Sequence, residues 1–590
     1  MEPRTPATSR RNFLKASATA LGTALAGCAV ARTERTGRIA DPGARPNILY
    51  VFSDEHRWCS QQHTEMPDVR TPHFARFARQ GTSLANCVAN NPVCVPYRGI
   101  LQTGLYPQHS GIVTNSIRMD RDVIGKGRPT LGQIFSQGGY HTGYIGKWHL
   151  GDSTCAQAGY DFFHHWKGSD NHWDSQWRDV INDPETYHED KSYNAVSMTD
   201  HALRFVDESP EDKPWLLLLS WNPPHARWDD APPEDVARYD NGKLSTRPNA
   251  PDEMATDPRY IHYHAHITAI DREFGRLMAE LEKRSLDENT VVIYTSDHGS
   301  GWLSNGFFSK PHPTDEVIRV PFSARWPGKI PDGRELAEPL GTIDIPPTLC
   351  GLAGITPPNH YDGTDCSAML LGRPGSRPDA QLITNPASIR SYVDRYRDIP
   401  YAGEGHAHFP CRGIRTDRHT FVVRADGDWL LFDNEADPFQ RENLVDDPAH
   451  ANLKEKLRKR LLALVEASEK SDAYLPDEIR SLPLAEKIEA TDEFYVLKWK
   501  EPKLREKMDE AMAPLLAKAS GPEEKERIRR IAEELYLEKS FRQRFLDYEI
   551  DLYSYWWLRN SKEYDRRNAE YKAMLKKQAA LLEETVAADA

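Results

Sequence analysis

Four short hydrophobic runs stand out along the chain, and each passes directly into polar residues. Arg45 to Asp54 (RPNILYVFSD) is the first. Tyr140 to Ile145 runs into Gly146-Lys147-Trp148-His149, Trp215 to Trp221 (WLLLLSW) into Asn222-Pro223-Pro224-His225, and Val291 to Thr295 (VVIYT) into Ser296-Asp297-His298-Gly299. Runs this short and continuously apolar predict parallel strands buried on both faces. Helical patterns lie between them, such as His262 to Lys283, so the alternation predicts a doubly wound α/β domain. In such sheets ligands bind beyond the carboxyl ends of the strands, where these polar segments stand.

Near Glu404 the texture changes. Gly413 to Phe432 reads as hairpin strands turning at Asp426-Gly427, and Leu453 to Ala467 as an amphipathic helix. Together they predict a small α+β subdomain over residues 404–469, after a catalytic domain over residues 45–403. From residue 470 to residue 590 the chain is charged and helix-rich. There Phe541, Phe545, Tyr548, Leu552 and Tyr555 recur at helical spacing, a stripe that must find a surface, its own or a neighbour's. Self-association through these C-terminal helices, giving a homo-oligomer, is the expectation.

The N-terminus reads as an address. Ser9-Arg10-Arg11-Asn12-Phe13-Leu14-Lys15 is a twin-arginine export motif, followed by small apolar residues. Leu25-Ala26-Gly27-Cys28 resembles the lipobox of bacterial lipoproteins, which implies lipidation of Cys28 and a periplasmic or cell-surface location. Residues 1–28 are thus expected to be a signal and residues 29–44 a tether, with the lipid as the only membrane attachment. No later apolar run reaches the length needed to span a bilayer. Of the 8 cysteines, those outside the proposed sites could be paired or be buried thiols.

At 590 residues the chain exceeds one ordinary domain, and 39% apolar with 28% charged residues suits a globular protein. The net charge of −13 argues against a nucleic-acid partner and means that any anionic substrate needs a local basic pocket.

The chemistry centres on Cys94-Val95-Pro96-Tyr97-Arg98, continued by Leu101, Thr103 and Gly104. This segment resembles the C-x-P-x-R…L-x-T-G signature of the formylglycine-dependent sulfatases, the type I sulfatases of the alkaline phosphatase superfamily. The resemblance spans roughly Arg45 to Ala467, with Tyr97 where the family often has Ser. It implies an alkaline-phosphatase-like, mostly parallel α/β sheet with a smaller C-terminal α+β subdomain, here followed by a helical extension. It implies that a maturation enzyme oxidises Cys94 to formylglycine, whose hydrate offers one hydroxyl to attack sulfur and another to expel sulfate.

By the same resemblance Asp54 and Asp297 are metal ligands beside residue 94. Glu55 and His298 stand where many members carry Asp or Gln and Asn, and both retain a donor. An oxygen-rich set suits Ca2+, with Mg2+ or, given His298, Mn2+ as alternatives. Arg98 and Lys147 are implied to hold the formylglycine diol, His149 to be the base, and His225 and Lys310 to serve the sulfate and leaving-group side. Lys310 is placed by the register of Lys310 to Pro321 (KPHPTDEVIRVP), in which Thr314 and Asp315 depart from the usual Tyr and Glu. Asn115 is a candidate donor to a sulfate oxygen. In Gly168 to Trp177, His172 would lie near sugar hydroxyls, and Trp173 and Trp177 could stack on a ring. A sulfated saccharide is the expected substrate. The alternatives are a phosphonate monoester hydrolase or phosphodiesterase of the same superfamily, and an inactive lipid-anchored glycan-binding protein.

Overall fold

The computed structural model describes residues 45–115, 128–167, 171–239, 243–386, 410–470, 475–538, 541–542, 544–545 and 562–589. The twin-arginine motif, Cys28 and the tether lie outside the described residues, as do Tyr548, Leu552 and Tyr555.

Ten strands form the main sheet: β1 (Asn47–Asp54), β2 (Thr82–Leu84), β4 (His141–Lys147), β5 (Phe162–Lys167), β6 (Ser175–Asp179), β7 (His188–Asp190), β8 (Trp215–Pro224), β9 (Thr290–Ser296), β11 (Phe322–Arg325) and β12 (Arg334–Leu336). Their order is β12-β2-β11-β9-β1-β8-β4-β5-β6-β7. The five central strands, β9, β1, β8, β4 and β5, are mutually parallel, and antiparallel strands flank them on both sides. Three short strands, β3 (Cys87–Val88), β10 (Arg319–Val320) and β13 (Leu340–Gly341), make a separate sheet ordered β10-β3-β13.

The continuous apolar runs follow from burial on both faces. In β1, Ile48, Tyr50 and Phe52 enter one apolar layer, while Leu49 and Val51 enter the other. β8 does the same, with Leu216 and Leu218 on one side and Leu217, Leu219 and Trp221 on the other. Helices Asn194–Glu208 and Pro258–Lys283 cover the second layer through Met198, Ala202, Phe205, Ile270 and Phe274. Each such aliphatic side chain contributes about 1.5–3 kcal/mol by leaving water, so the strand ends stand on a rigid base.

The second body of the fold is an antiparallel sheet of β14 (Ala380–Asn385), β15 (Cys411–Thr416), β16 (His419–Arg424) and β17 (Gly427–Asp433) in sequential order. Gly427 takes φ 130°, as the expected tight turn requires. β14 precedes Glu404 and pairs with β15 beyond it, so this sheet draws on residues from both sides of the expected subdomain boundary. Helix Ala451–Ser468 packs on it through Leu457, Leu461 and Val465.

Helices Leu484–Lys518, Pro522–Tyr536 and Lys562–Ala588 form the extension. Leu504, Met508, Ile528, Ile531 and Leu582 share one apolar cluster with Phe541 and Phe545, which are 2% and 0% exposed. The described part of the aromatic stripe is therefore satisfied inside the chain, which removes its support for self-association. Tyr495, on the first of these helices, donates its hydroxyl to the Gln108 carbonyl at 3.0 Å and packs with Val113 and Leu475. That contact ties the extension to the catalytic body.

Candidate active site

Cys94 opens helix Cys94–Thr103, and Asn115 Oδ1 accepts from the Val95 N–H at 3.1 Å, satisfying one of the donors that a helix start leaves free. The partial positive charge of a helix N-terminus favours an anion at this position. Around the Cys94 Sγ stand Lys310 Nζ at 3.0 Å, His298 Nε2 at 3.3 Å and Asp54 Oδ1 at 3.5 Å. Asp54 ends β1 and Asp297 and His298 follow β9, so neighbouring parallel strands deliver them to one edge.

Asp54, Cys94, Asp297 and His298 each offer a donor atom within 4.8 Å of the others, and all four are buried. Their chemistry fits a divalent cation. Asp297 Oδ1 accepts from the backbone N–H groups of Glu55 and His298 at 3.0 and 2.8 Å. Its Oδ2 has no hydrogen-bond partner among the described residues and faces Arg98 only at 3.7 Å. Burial and the Asp54 charge push the Asp297 carboxyl up. Burial is the largest influence and opposes a charge on His298, but Asp297 and the Cys94 sulfur together push the imidazole up to about 9. His298 Nδ1 lies 2.8 Å from the Gly299 carbonyl, leaving Nε2 to face the cluster. Two buried carboxylates, one with an orphaned oxygen, suit a cation bound by Asp54, Asp297 and His298 beside residue 94.

The basic residues converge on the same point. Lys147 Nζ lies 2.7 Å from Asp54 Oδ2 and donates to Asn222 Oδ1 at 3.3 Å. Arg98 donates to Asp54 Oδ2 at 3.1 Å, to Ser220 Oγ at 2.7 Å, to the Tyr144 hydroxyl at 3.3 Å and to the Lys147 carbonyl. Burial works against ionised Asp54, but the charges of Lys147, Lys310 and Arg98 hold it well below the usual carboxylate range. Burial, Lys147 and Lys310 hold His225 far below its ordinary value, so it is neutral at pH 7. Glu55 (φ 73°) and His149 (φ 59°) both take left-handed backbone, uncommon for non-glycine residues and concentrated at functional sites.

Glu55 stands apart from the four-donor group. Its carboxylate accepts from Ser300 Oγ at 2.9 Å and Ser309 Oγ at 3.4 Å, with Lys310 Nζ at 3.3 Å and His225 Nε2 at 3.9 Å. It fixes the ammonium next to Cys94 and forms a second donor group with Asp54 and His225. His172 and Trp173 lie elsewhere. The His172 ring is fully buried with Nδ1 2.8 Å from Asp230, the Trp173 indole donates to the Asp230 carbonyl at 2.7 Å, and Trp177 is 4% exposed. Hydrogen bonds to Asp230 thus hold the His172 imidazole and the Trp173 indole, and Trp173 stays half-buried. Asn222 was within reach of sequence reading, since it opens Asn222-Pro223-Pro224-His225. Ser220, Ser300 and Ser309 carried no signal of their own. The seven described cysteines are buried free thiols.

The Sulfatase family model matches residues 46–355, and that of the N-sulphoglucosamine sulphohydrolase C-terminal region matches residues 304–467. The ulvan-active sulfatase of Formosa agariphila is 31% identical over 453 residues, covering 74% of this chain and 84% of that protein. The endo-4-O-sulfatase of Bacteroides thetaiotaomicron is 27% identical over 471 residues, covering 69% and 89%. Among solved structures, BT4656 in complex with its substrate D-glucosamine-2-N,6-O-disulfate superposes with a TM-score of 0.62 at 21% identity, covering 73% of this chain and 99% of that one.

Proposed function

Since the chain belongs to the sulfatase family and is a sulfuric ester hydrolase, we propose that it removes sulfate from a carbohydrate, using Cys94 converted to formylglycine and a divalent cation, preferably Ca2+. The observation that carries this reading is the placement of Cys94 Sγ at a helix N-terminus, 3.0 Å from Lys310 Nζ and 3.5 Å from Asp54 Oδ1. Relatives named for ulvan, for endo-4-O-sulfate and for N-acetylglucosamine-6-O-sulfate support a saccharide substrate.

The hydrated formylglycine supplies a hydroxyl nucleophile and a second hydroxyl for release of sulfate. A cation held by Asp54, Asp297 and His298 supplies charge for the nucleophile and the sulfate oxygens. The chain's own residues do the rest. Arg98, anchored by Ser220 and the Lys147 carbonyl, keeps Asp54 ionised and aimed. Lys147 and Lys310 bring two ammonium groups to the reacting edge, matching the negative charge of a sulfate ester in a buried setting where it counts most. His225 and Lys310 stand on the sulfate and leaving-group side, where Lys310 can give a proton to the departing oxygen. His149 serves as the base. Glu55 holds Lys310 in place. The twin-arginine motif and Cys28 support export, lipid attachment and maturation by a formylglycine-generating enzyme before export.

Incubation of the purified protein with defined sulfated saccharides, alongside a phosphodiester and a phosphonate ester, tests the substrate class. Release of free sulfate from a saccharide is expected. Turnover of the phosphorus esters without sulfate release would overturn the reading in favour of the phosphonate hydrolase alternative.

A further inference from the structure

Away from Cys94, a second set of donors converges inside the fold. His172 precedes β6, Asp230 lies in the loop after β8, and His266 is on helix Pro258–Lys283. His172 Nδ1 lies 2.8 Å and His266 Nε2 3.5 Å from the same oxygen, Asp230 Oδ1. One donor atom from each residue lies within 4.8 Å of the others. Both imidazoles are fully buried, and the Asp230 side chain is 15% exposed.

These spacings have a chemical meaning. Donors bound at zinc distances in a tetrahedron lie about 3.3 Å from one another, and the two separations to Asp230 bracket that value. His266 Nδ1 lies 2.7 Å from the Tyr193 hydroxyl, the kind of partner that orients a ligating imidazole through its far nitrogen. The Arg227 carbonyl, 3.0 Å from His266 Nε2, adds a further oxygen at the same spot. On the far side of its ring His172 Nε2 is buried with no hydrogen-bond partner among the described residues, so Nδ1 is the nitrogen that faces the cluster.

We propose that His172, Asp230 and His266 form a second divalent-metal site, distinct from the Cys94 centre, that takes a borderline transition ion such as Zn2+. Two imidazoles with one carboxylate select such an ion over the hard cations favoured by Asp54 and Asp297. Asp230 lies five residues past His225. The ion would therefore tie the segment carrying an active-site histidine to helix Pro258–Lys283 and to the chain preceding β6.

The test uses full-length protein stripped with a chelator and returned to excess Ca2+, which occupies the oxygen-rich centre. Zn2+ is then titrated with metal analysis after desalting, and Co2+ with visible absorption. Wild type should retain one equivalent, show a Co2+ spectrum and melt at a higher temperature with Zn2+. Asp54→Asn should retain this uptake. His172→Ala and His266→Ala should each weaken it by more than about 100-fold, because they remove a ligand. Tyr193→Phe, which leaves all three donors in place, should weaken it by about 10–100-fold. A wild type that takes up no Zn2+ or Co2+ under Ca2+ excess would overturn the proposal, whether or not the variants fold. So would undiminished uptake by a folded His266→Ala protein, or uptake lost only in an Asp54→Asn protein shown by circular dichroism to be folded.

Discussion

Replacing Asp54 by Asn keeps the shape of the side chain and removes one negative charge from the centre of the site. That charge faces Lys147 Nζ at 2.7 Å, Arg98 Nη2 at 3.1 Å and Lys310 Nζ at 3.7 Å. At an effective dielectric of 20, one pair at roughly 3 Å is worth about 5 kcal/mol before desolvation is counted. Breaking a buried pair by removing one partner costs about 3–5 kcal/mol of stability, because the other charge is left uncompensated. The cation loses a ligand, and the ammonium groups lose the anion that fixes their positions. Some 4 kcal/mol lost from the transition state corresponds to about three decades in rate. Asp54→Asn should therefore lower kcat/KM on an aryl sulfate by about 1,000-fold or more, and urea unfolding should show a loss of several kcal/mol. If the variant stays within tenfold of wild type in kcat/KM, Asp54 is not the charge around which the site is built, and the reasoning fails.

Other expectations rest on separate contacts. Glu55→Gln, which keeps an acceptor for Ser300 and Ser309, should reduce kcat/KM by about tenfold, and Glu55→Ala by more, since Lys310 loses its support. Steady-state kinetics on both variants would check this, and a wild-type Glu55→Ala would refute it. Asp271 accepts from the His73 and Phe74 N–H groups at 3.1 and 2.7 Å, and burial pushes its carboxyl up from 3.8 to about 7. Between those values the folded chain holds a proton that the unfolded chain has released, so stability falls as pH rises through the window, by at most about 1.4 kcal/mol per pH unit. Asp271→Asn should flatten that part of the stability profile in urea titrations, while costing about 1–3 kcal/mol throughout, because one backbone N–H loses its acceptor. Leu218→Ala, at a fully buried position of β8, should cost about 2–5 kcal/mol by calorimetry or urea unfolding.

Much of this architecture could be read from the chain because the signals were local. The run NILYVFSD is apolar on both faces because β1 lies between β8 and β9 with helices above and below. The polar residues after each run therefore had to meet at one edge, and Asp54, Lys147, Asp297 and His298 do meet there. What the sequence left hidden depended on side-chain direction. Glu55 follows Asp54 directly, yet its left-handed backbone turns the carboxylate to Lys310 and Ser300 and away from the four-donor group. His172 and Trp173 sit in a loop rich in polar and aromatic residues that resembled a sugar platform. Their partner Asp230 is 58 residues from His172 and 57 from Trp173, and no spacing rule connects them. The aromatic stripe at Phe541 and Phe545 had the helical period expected of a buried face, but period alone does not say which surface covers it. Here the chain's own helices do.

Whether Cys94 is the precursor of the nucleophile is read most directly from the mass of its peptide in active protein. Purified enzyme would be digested, the Cys94 peptide weighed, and its converted fraction compared with specific activity across preparations made with and without a maturation enzyme. A peptide lighter than the thiol form, as the aldehyde, is expected, with activity rising in proportion to the converted fraction. Full activity in protein whose Cys94 is entirely the unmodified thiol would contradict it.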